Sequence, residues 1–295
     1  MERVRAGACD AVLIAGPTAS GKSAFAISLA ERCDGVVINA DSMQVYRDLR
    51  ILSARPDAAD EARVPHRLYG HVSGEVEYSV GDYLRGAAEA ISAVRRVGKL
   101  PIFVGGTGLY FRALTEGLVE TPEIPAAVRA WTAGIAPENL HGELARRDPA
   151  AAERLNPADV PRLMRALEVF QATGRSIADW QAERQGAPLL SAGCWSGVFL
   201  APQREALAAR IDDRFVAMIE AGALEEVRQL LARGLPPNRG VMKAHGVPHL
   251  AAYLSGLMRL EEAVQRGQGD TRRYAKRQMT WARKFMAGWH WVAVE

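Results

Sequence analysis

The sequence predicts an α/β protein: a parallel sheet covered by helices, with a mostly helical insertion and a helical C-terminal part. Three observations predict it. A short apolar run, Val12 to Ala15, leads through a glycine-rich turn into the helix-like Ser23 to Arg32 and a second β-branched run, Val36 to Asn39. That is a βαβ opening. Further strand candidates, Arg67 to Val72, Ile102 to Val104 and Val198 to Leu200, are separated by helical stretches such as Tyr83 to Arg96, the alternation of a parallel sheet. Between about Thr121 and Ser191 the strand signal disappears and helix formers and arginines dominate.

The turn after the first strand reads Gly16-Pro17-Thr18-Ala19-Ser20-Gly21-Lys22-Ser23. It matches GxxxxGK[ST] without a mismatch, in the strand-to-helix context that gives this motif its meaning. Glycines let backbone N–H groups converge on phosphate oxygens, Lys22 adds a point charge, and the Ser23 hydroxyl is placed to ligate Mg²⁺. The core is therefore expected to be P-loop NTPase-like. Asp41 ends the second strand, where a parallel sheet presents residues to the crevice at its carboxyl edge. An acid there faces an acceptor; an Asp there also caps the following segment through its own backbone. Both roles stay open, and they are compatible. The strand Leu100 to Val104 runs into Gly105-Gly106-Thr107-Gly108-Leu109-Tyr110 with no carboxylate at its end. A hydrolytic P-loop enzyme usually has one, so the pattern favours a diphosphate held as a leaving group over ATP hydrolysis.

Residues 1–120 are expected to form the first part of the core, 121–191 the insertion, and 192–295 the completion of the core with basic C-terminal helices. Within the insertion, Ala150 to Leu155 and Arg162 to Thr173 read as helical. Glu205 to Arg233 places Leu207, Ile211, Phe215 and Met218 at helical spacing and closes near Gly234. Thr271 to Lys284 contains Arg272, Arg273, Lys276, Arg277, Arg283 and Lys284 and no acid. At about 100° per residue these six fall within roughly 140°, with Tyr274, Trp281 and Phe285 opposite. Such a face is either solvated or a track for a polyanion, and with Arg162 and Arg165 in the insertion the track is the better account. Trp281, Trp289 and Trp291 are expected in the core rather than as stacking platforms. His66, His71, His141, His245, His249 and His290 show no metal-ligand spacing and are expected to be structural.

Composition bounds the function classes. The 295 residues are 48% hydrophobic and 24% charged, with a net charge of +3, ordinary for a globular chain and too small to identify a nucleic-acid partner. Cys9, Cys33 and Cys194 are scattered and odd in number, which points away from a disulfide framework or zinc site. Met1 to Asp10 lacks the apolar run of a signal peptide or membrane span, so a cytoplasmic protein with no membrane partner is expected.

Taken in order, Gly16 to Ser23, Asp41-Ser42-Met43-Gln44-Val45-Tyr46, Pro65-His66-Arg67-Leu68, Gly105 to Tyr110, Arg162-Leu163-Met164-Arg165-Ala166-Leu167-Glu168-Val169 and Tyr274-Ala275-Lys276-Arg277-Gln278 resemble the tRNA dimethylallyltransferases. The resemblance spans essentially the whole chain. It implies Mg²⁺ dependence and transfer of a dimethylallyl group from dimethylallyl diphosphate to N6 of the adenosine immediately 3′ of the anticodon. It also implies that the anticodon stem-loop of tRNA is the partner of a monomeric enzyme. By the same resemblance, Gly16, Pro17, Thr18, Ala19, Ser20, Gly21, Lys22 and Ser23 grip the diphosphate, Arg210 assists them, and Asp41 is the base. Asp41, Ser42, Met43, Gln44, Thr107, Arg129, Pro161, Arg162, Leu163, Met164, Arg165, Lys276, Arg277 and Arg283 match places where this family touches tRNA. Two departures stand out. After Tyr46 the family reads close to RGMDIGTAKP, whereas this chain has Arg47 to Pro56 with Asp48 and Leu52 in place of glycines and Arg50 in place of an acid. Ala244-His245-Gly246-Val247 stands where AIGY is common. The rival readings are a transferase acting on free adenine nucleotides, a small-molecule P-loop kinase and a non-catalytic RNA-binding protein.

Overall fold

Six strands form one parallel sheet in the order β3-β2-β4-β1-β5-β6. They are β1 Ala11–Ala15, β2 Gly35–Asn39, β3 His66–Arg67, β4 Leu100–Gly105, β5 Trp195–Pro202 and β6 His290–Val294. The structure is a computed structural model that describes residues 9–118, 123–182 and 186–294. All five residues of β1 and of β2 are buried, as expected of apolar runs covered on both faces. Each large aliphatic side chain so placed contributes roughly 1.5–3 kcal/mol.

Helices cover both faces. On one side α1 (Lys22–Cys33) packs Ala26, Ile27, Leu29 and Ala30 against Val12, Ile14, Val37 and Val104. Following the short α2 (Ala58–Arg63), α3 (Val80–Arg96) opens with a capping box between Ser79 and Asp82. It lays Tyr83, Ala87, Ala90, Ile91 and Val94 on the other side with Leu13, Ile38 and Phe103. Helix α4 (Gly108–Glu116) joins that face through Tyr110, Phe111 and Leu114.

The chain divides into two units, Met1–Thr115 with Leu189–Glu295, and Glu116–Pro188; the expected insertion runs over 121–191. The second unit contains α5 (Ala126–Ala133), α6 (Leu140–Arg147), α7 (Pro149–Arg154), α8 (Val160–Thr173) and α9 (Ile177–Ala182) around its own core of Leu140, Leu144, Leu163, Ala166 and Leu167. The first unit is completed by α10 (Arg204–Glu220), α11 (Ala223–Ala232), α12 (Val247–Leu254) and α13 (Leu260–Phe285).

Three expectations need correction. Arg67 to Val72 is not a strand: pairing with β2 stops at Arg67, because Leu68 turns into the left-handed region at φ 63°. Only an isolated bridge joins Val72 to Tyr46. The single helical stretch Glu205 to Arg233 is two helices, α10 and α11, separated by Gly222 at φ 104°. The C-terminal part is not wholly helical, since His290–Val294 pairs with β5 at the sheet edge, Val198 opposite His290. Trp289 and Trp291 pack against the core beside it, as expected.

The carboxyl ends of β1, β2 and β4 lie side by side, and one contact there excludes any side chain. A Cβ on Gly105 would sit 2.0 Å from the Ala40 carbonyl oxygen, which is backbone and unable to swing aside. Gly105→Ala is expected to destabilise the chain by about 1–3 kcal/mol, measured as a lower urea midpoint with an unchanged slope.

Candidate active site

The carboxyl edge brings three segments together: the loop after β1, Asp41 after β2, and the Gly106-Thr107 turn after β4. In the loop, Ala19 at φ 62° and Gly21 at φ 83° curl the backbone, and the Ser20 N–H donates to the Pro17 carbonyl at 3.2 Å. The Ser20 hydroxyl is buried with no hydrogen-bond partner among the described residues. Such a group inside a phosphate-type loop fits an incoming oxygen ligand. Lys22 Nζ reaches back to the Pro17 carbonyl at 3.3 Å.

Gln278 of α13 ties the loop to the neighbouring turn. Its Oε1 accepts the Thr18 N–H at 3.0 Å and its Nε2 donates to the Gly106 carbonyl at 2.9 Å. A Cβ on Gly106 would lie 2.1 Å from that Nε2, so the glycine is what lets the tie close.

Asp41 is held by its own strand. Fully buried Asn39 accepts the Asp41 N–H on Oδ1 at 2.8 Å and donates from Nδ2 to the carbonyls of Asp41 at 2.9 Å and Leu68 at 3.1 Å. Asp41 Oδ1 in turn accepts the Met43 N–H at 3.0 Å, which is the capping role. Its Oδ2 points to Gly106, 3.2 Å from where a Cβ there would be. One oxygen caps and the other faces the site.

Two cavities open here. One, of about 60 Å³, is lined by Thr18, Asp41, Met43, Arg214, His245 and Tyr274, among others. The second, of about 240 Å³, is more apolar and includes Gly16, Thr107, Phe111, Phe199, Gln278 and Trp281. Tyr274 borders both.

Burial and neighbouring charge together shift Lys22, Arg214, Tyr274 and His245. Burial pulls the Lys22 ammonium down to about 8, against the attraction of the Asp41 carboxylate and with added repulsion from Arg214. Burial also lowers the Arg214 guanidinium, which Asp41 partly restores. Burial raises the Tyr274 phenol, and Asp41 adds to the effect. The His245 imidazole is lowered by burial and by Arg277.

Arg214 and Gln278 both contact the loop after β1, and sequence reasoning missed both as candidate site residues. Arg214 donates to the Thr18 hydroxyl and lies one turn beyond Arg210 on α10; two guanidinium nitrogens of Arg210, Nε and Nη2, are buried. The i, i+4 spacing of Arg210 and Arg214 was the available signal. His245, expected to be structural, lines the Asp41 cavity with its ring 4.7 Å from that of Tyr274. His249 does have a structural role, its Nε2–H donating to Asp270 Oδ2 at 2.8 Å.

Among the expected tRNA-contact positions, Thr107 Oγ1 accepts the Ser42 N–H at 2.9 Å, joining the β2 and β4 exits. Gln44 uses its side-chain nitrogen on the Ser53 and Ala54 carbonyls, both at 2.9 Å. In the second unit Arg129, Pro161 and Arg162 are exposed, Met164 and Arg165 are half-buried, and Leu163 is fully buried in that unit's core. That burial withdraws the Leu163 side chain from surface contact. On α13, Lys276, Arg277, Arg283 and Lys284 are exposed. Arg272 is instead paired with Asp212 of α10, and Arg273 with Asp270.

Ser23 is exposed in the first turn of α1.

Two family descriptions match the chain: IPP transferase over residues 44–285 and Isopentenyl transferase over residues 9–76. The chain is 57% identical over 289 residues to a protein of Bradyrhizobium sp. (strain ORS 278) named tRNA dimethylallyltransferase, covering 97% of this chain and 94% of that protein. A tRNA dimethylallyltransferase of Nitrobacter hamburgensis is 58% identical, with 98% and 92% covered. A solved eukaryotic dimethylallyltransferase acting on tRNA superposes with a TM-score of 0.81 at 29% identity, over 97% of this chain and 74% of that one. The Bacillus halodurans tRNA isopentenylpyrophosphate transferase gives 0.68 at 33% identity, over 96% and 89%. No helix among the described residues is long and apolar enough to cross a membrane.

The Lys22 shift makes a prediction about stability. The folded-state pKa near 8 lies below the ordinary 10.5, so between those values the unfolded chain binds the extra proton. Stability therefore rises with pH across that window, the burial cost being fully present below it and gone above it. Denaturant melts from pH 7.5 to 10.5 are expected to show that rise in the parent and a flatter profile in Lys22→Met.

Proposed function

We propose a division of labour for a chain that belongs to the IPP transferase family and is a tRNA dimethylallyltransferase: dimethylallyl diphosphate is the donor, and N6 of the adenosine immediately 3′ of the anticodon is the acceptor. The observation that supports it most is Asp41, with one carboxylate oxygen used as a cap and the other turned toward the site, in a cavity that also contains Thr18 and Arg214.

The donor diphosphate lies on the Thr18 to Ser23 loop, where backbone N–H groups, Lys22 and Arg214 face its oxygens, with Arg210 one turn behind. The apolar cavity beside Phe111, Phe199 and Trp281 suits the five-carbon chain. The adenine, turned out of its stack, presents its N6 edge to the cavity lined by Met43, His245 and Tyr274. The bond from C1 of the donor to the diphosphate oxygen breaks, the N6–C1 bond forms, and the electron pair leaves with the diphosphate. Lys22 and Arg214 stabilise the charge that builds on it. Asp41 takes the N6 proton. When bound beside Ser23, Mg²⁺ supplies further charge neutralisation on the diphosphate. Nothing in this balance consumes ATP. The exposed cations of α13 and, in the second unit, Arg129 supply the phosphate contacts, joined by Arg162 and Arg165 when they exchange their ion pairs with Asp159 and Glu168 for phosphate. We infer a monomer that acts in the cytoplasm.

The test is label transfer from dimethylallyl diphosphate with Mg²⁺, offering tRNA or a free adenine nucleotide. Label in tRNA is expected; label confined to the nucleotide sinks the acceptor assignment. A positioned base contributes ~10²- to 10⁴-fold, so Asp41→Asn should lower single-turnover transfer by about that factor. Both substrates should still bind, and the acid limb of the pH–rate profile should vanish. Because Asn preserves the cap at a cost of only a few tenths of a kcal/mol, a variant with normal single-turnover rates removes Asp41 from the chemistry.

For the basic helix, changing Lys276, Arg277, Arg283 and Lys284 to Gln should reduce the slope of log affinity for tRNA against log salt by about one unit per lost contact. Arg272→Gln, which loses a partly exposed ion pair with Asp212, should leave that slope unchanged and cost no more than about 1 kcal/mol of stability.

A further inference from the structure

The turn after Tyr46 is organised around an acid from a distant helix. Glu226, in the first turn of α11, accepts three consecutive backbone N–H groups: Arg50 at 2.5 Å and Ile51 at 2.8 Å on Oε1, and Leu52 at 2.9 Å on Oε2. Three convergent N–H dipoles form an anion nest, and here the protein fills it with its own carboxylate. The turn is closed further by the Ala54 N–H on the Ile51 carbonyl at 2.9 Å and by Gln44 on the carbonyls of Ser53 and Ala54. The far end of α11 adds a second hold, since Arg233 pairs with Asp48, whose other oxygen accepts the Gly74 N–H at 2.7 Å.

The last residues of the clamped turn reach the site. Leu52 and Ser53 line the same cavity as Asp41, Arg214 and Tyr274. Without an anion in the nest, three donors face one another and the turn loses its reason to present Leu52 inward. Helix α11 does not depend on the contact, because Ala223, Val227 and Leu230 are buried on its core face.

We propose that Glu226 is a positioning residue for acceptor capture: its carboxylate, seated in the Arg50 to Leu52 nest, sets the wall of the Asp41 cavity. The proposal rests on that cavity being the one that receives the adenosine. Glu226→Ala is expected to raise KM for tRNA roughly tenfold, the scale of losing charge-assisted hydrogen bonds. The value of kcat should stay within about twofold, and KM for dimethylallyl diphosphate should be unchanged. Formate should refill the nest and restore KM, whereas chloride at equal ionic strength should not. Glu226→Gln keeps one acceptor oxygen and should show a smaller rise. An unchanged KM for tRNA, a matching fall in kcat, or a raised KM that formate leaves untouched overturns the proposal. Should Glu226→Ala not fold, the same split between KM and kcat in Glu226→Gln decides it. The underlying cavity assignment fails separately, through an Asp41→Asn variant with normal single-turnover rates.

Discussion

The side-chain amide of Gln278 joins two backbone groups that lie 260 and 172 residues away in sequence, the Thr18 N–H and the Gly106 carbonyl. The rest of the site depends on that bridge. A glycine-rich loop offers convergent N–H groups only while its backbone is held in the strained curl that Ala19 and Gly21 adopt, and a buried amide that satisfies both sides of the gap resists collapse in either direction. The tie also places α13 against the sheet edge, which brings Tyr274 to the border of both cavities and leaves the exposed cations of that helix on its other side.

Around this bridge the electrostatics are arranged for an anion to arrive. Lys22 and Arg214 are near neighbours of like sign, and both are shifted toward their neutral forms by burial, with Asp41 as the opposing influence. The diphosphate of the proposed donor would relieve that repulsion, which in its absence counts against stability. Asp41 is held on the other side by Asn39, which fixes the backbone of residue 41 from two directions. The carboxylate therefore needs no side-chain partner to hold its orientation, and one oxygen is left to the site.

The basic helix illustrates how charge in a sequence is divided once the chain folds. Six cations share one face of the C-terminal stretch, but Arg272 and Arg273 are committed to Asp212 and Asp270. Exposed pairs of this kind contribute little energy; their effect is to remove two charges from any track, and only the Arg272–Asp212 pair links α10 to α13, Arg273–Asp270 lying within α13. In the second unit the run from Pro161 to Arg165 is similarly split, with Leu163 turned into the core while Arg162 remains exposed.

What the sequence alone determined is the chemistry that is local in the chain. The GxxxxGK[ST] loop, the acid after the second strand, the buried strands β1, β2 and β4 and the helical character of residues 126–182 all arise from patterns within a dozen residues, where backbone geometry and apolar periodicity act directly. Only the tertiary structure decided what depends on distant partners. The edge strand β6 exists because β5 offers it an unpaired ladder, and the Arg67 to Val72 run fails as a strand because Leu68 turns aside after two paired residues. Arg214 joins the loop because α10 lies across it, Gln278 bridges because α13 crosses both turns, and Glu226 fills a nest 176 residues away from the first amide it accepts. Hydrogen bonds and charge pairs at such separations leave no periodic trace, since their partners are chosen by packing and not by neighbourhood in the chain.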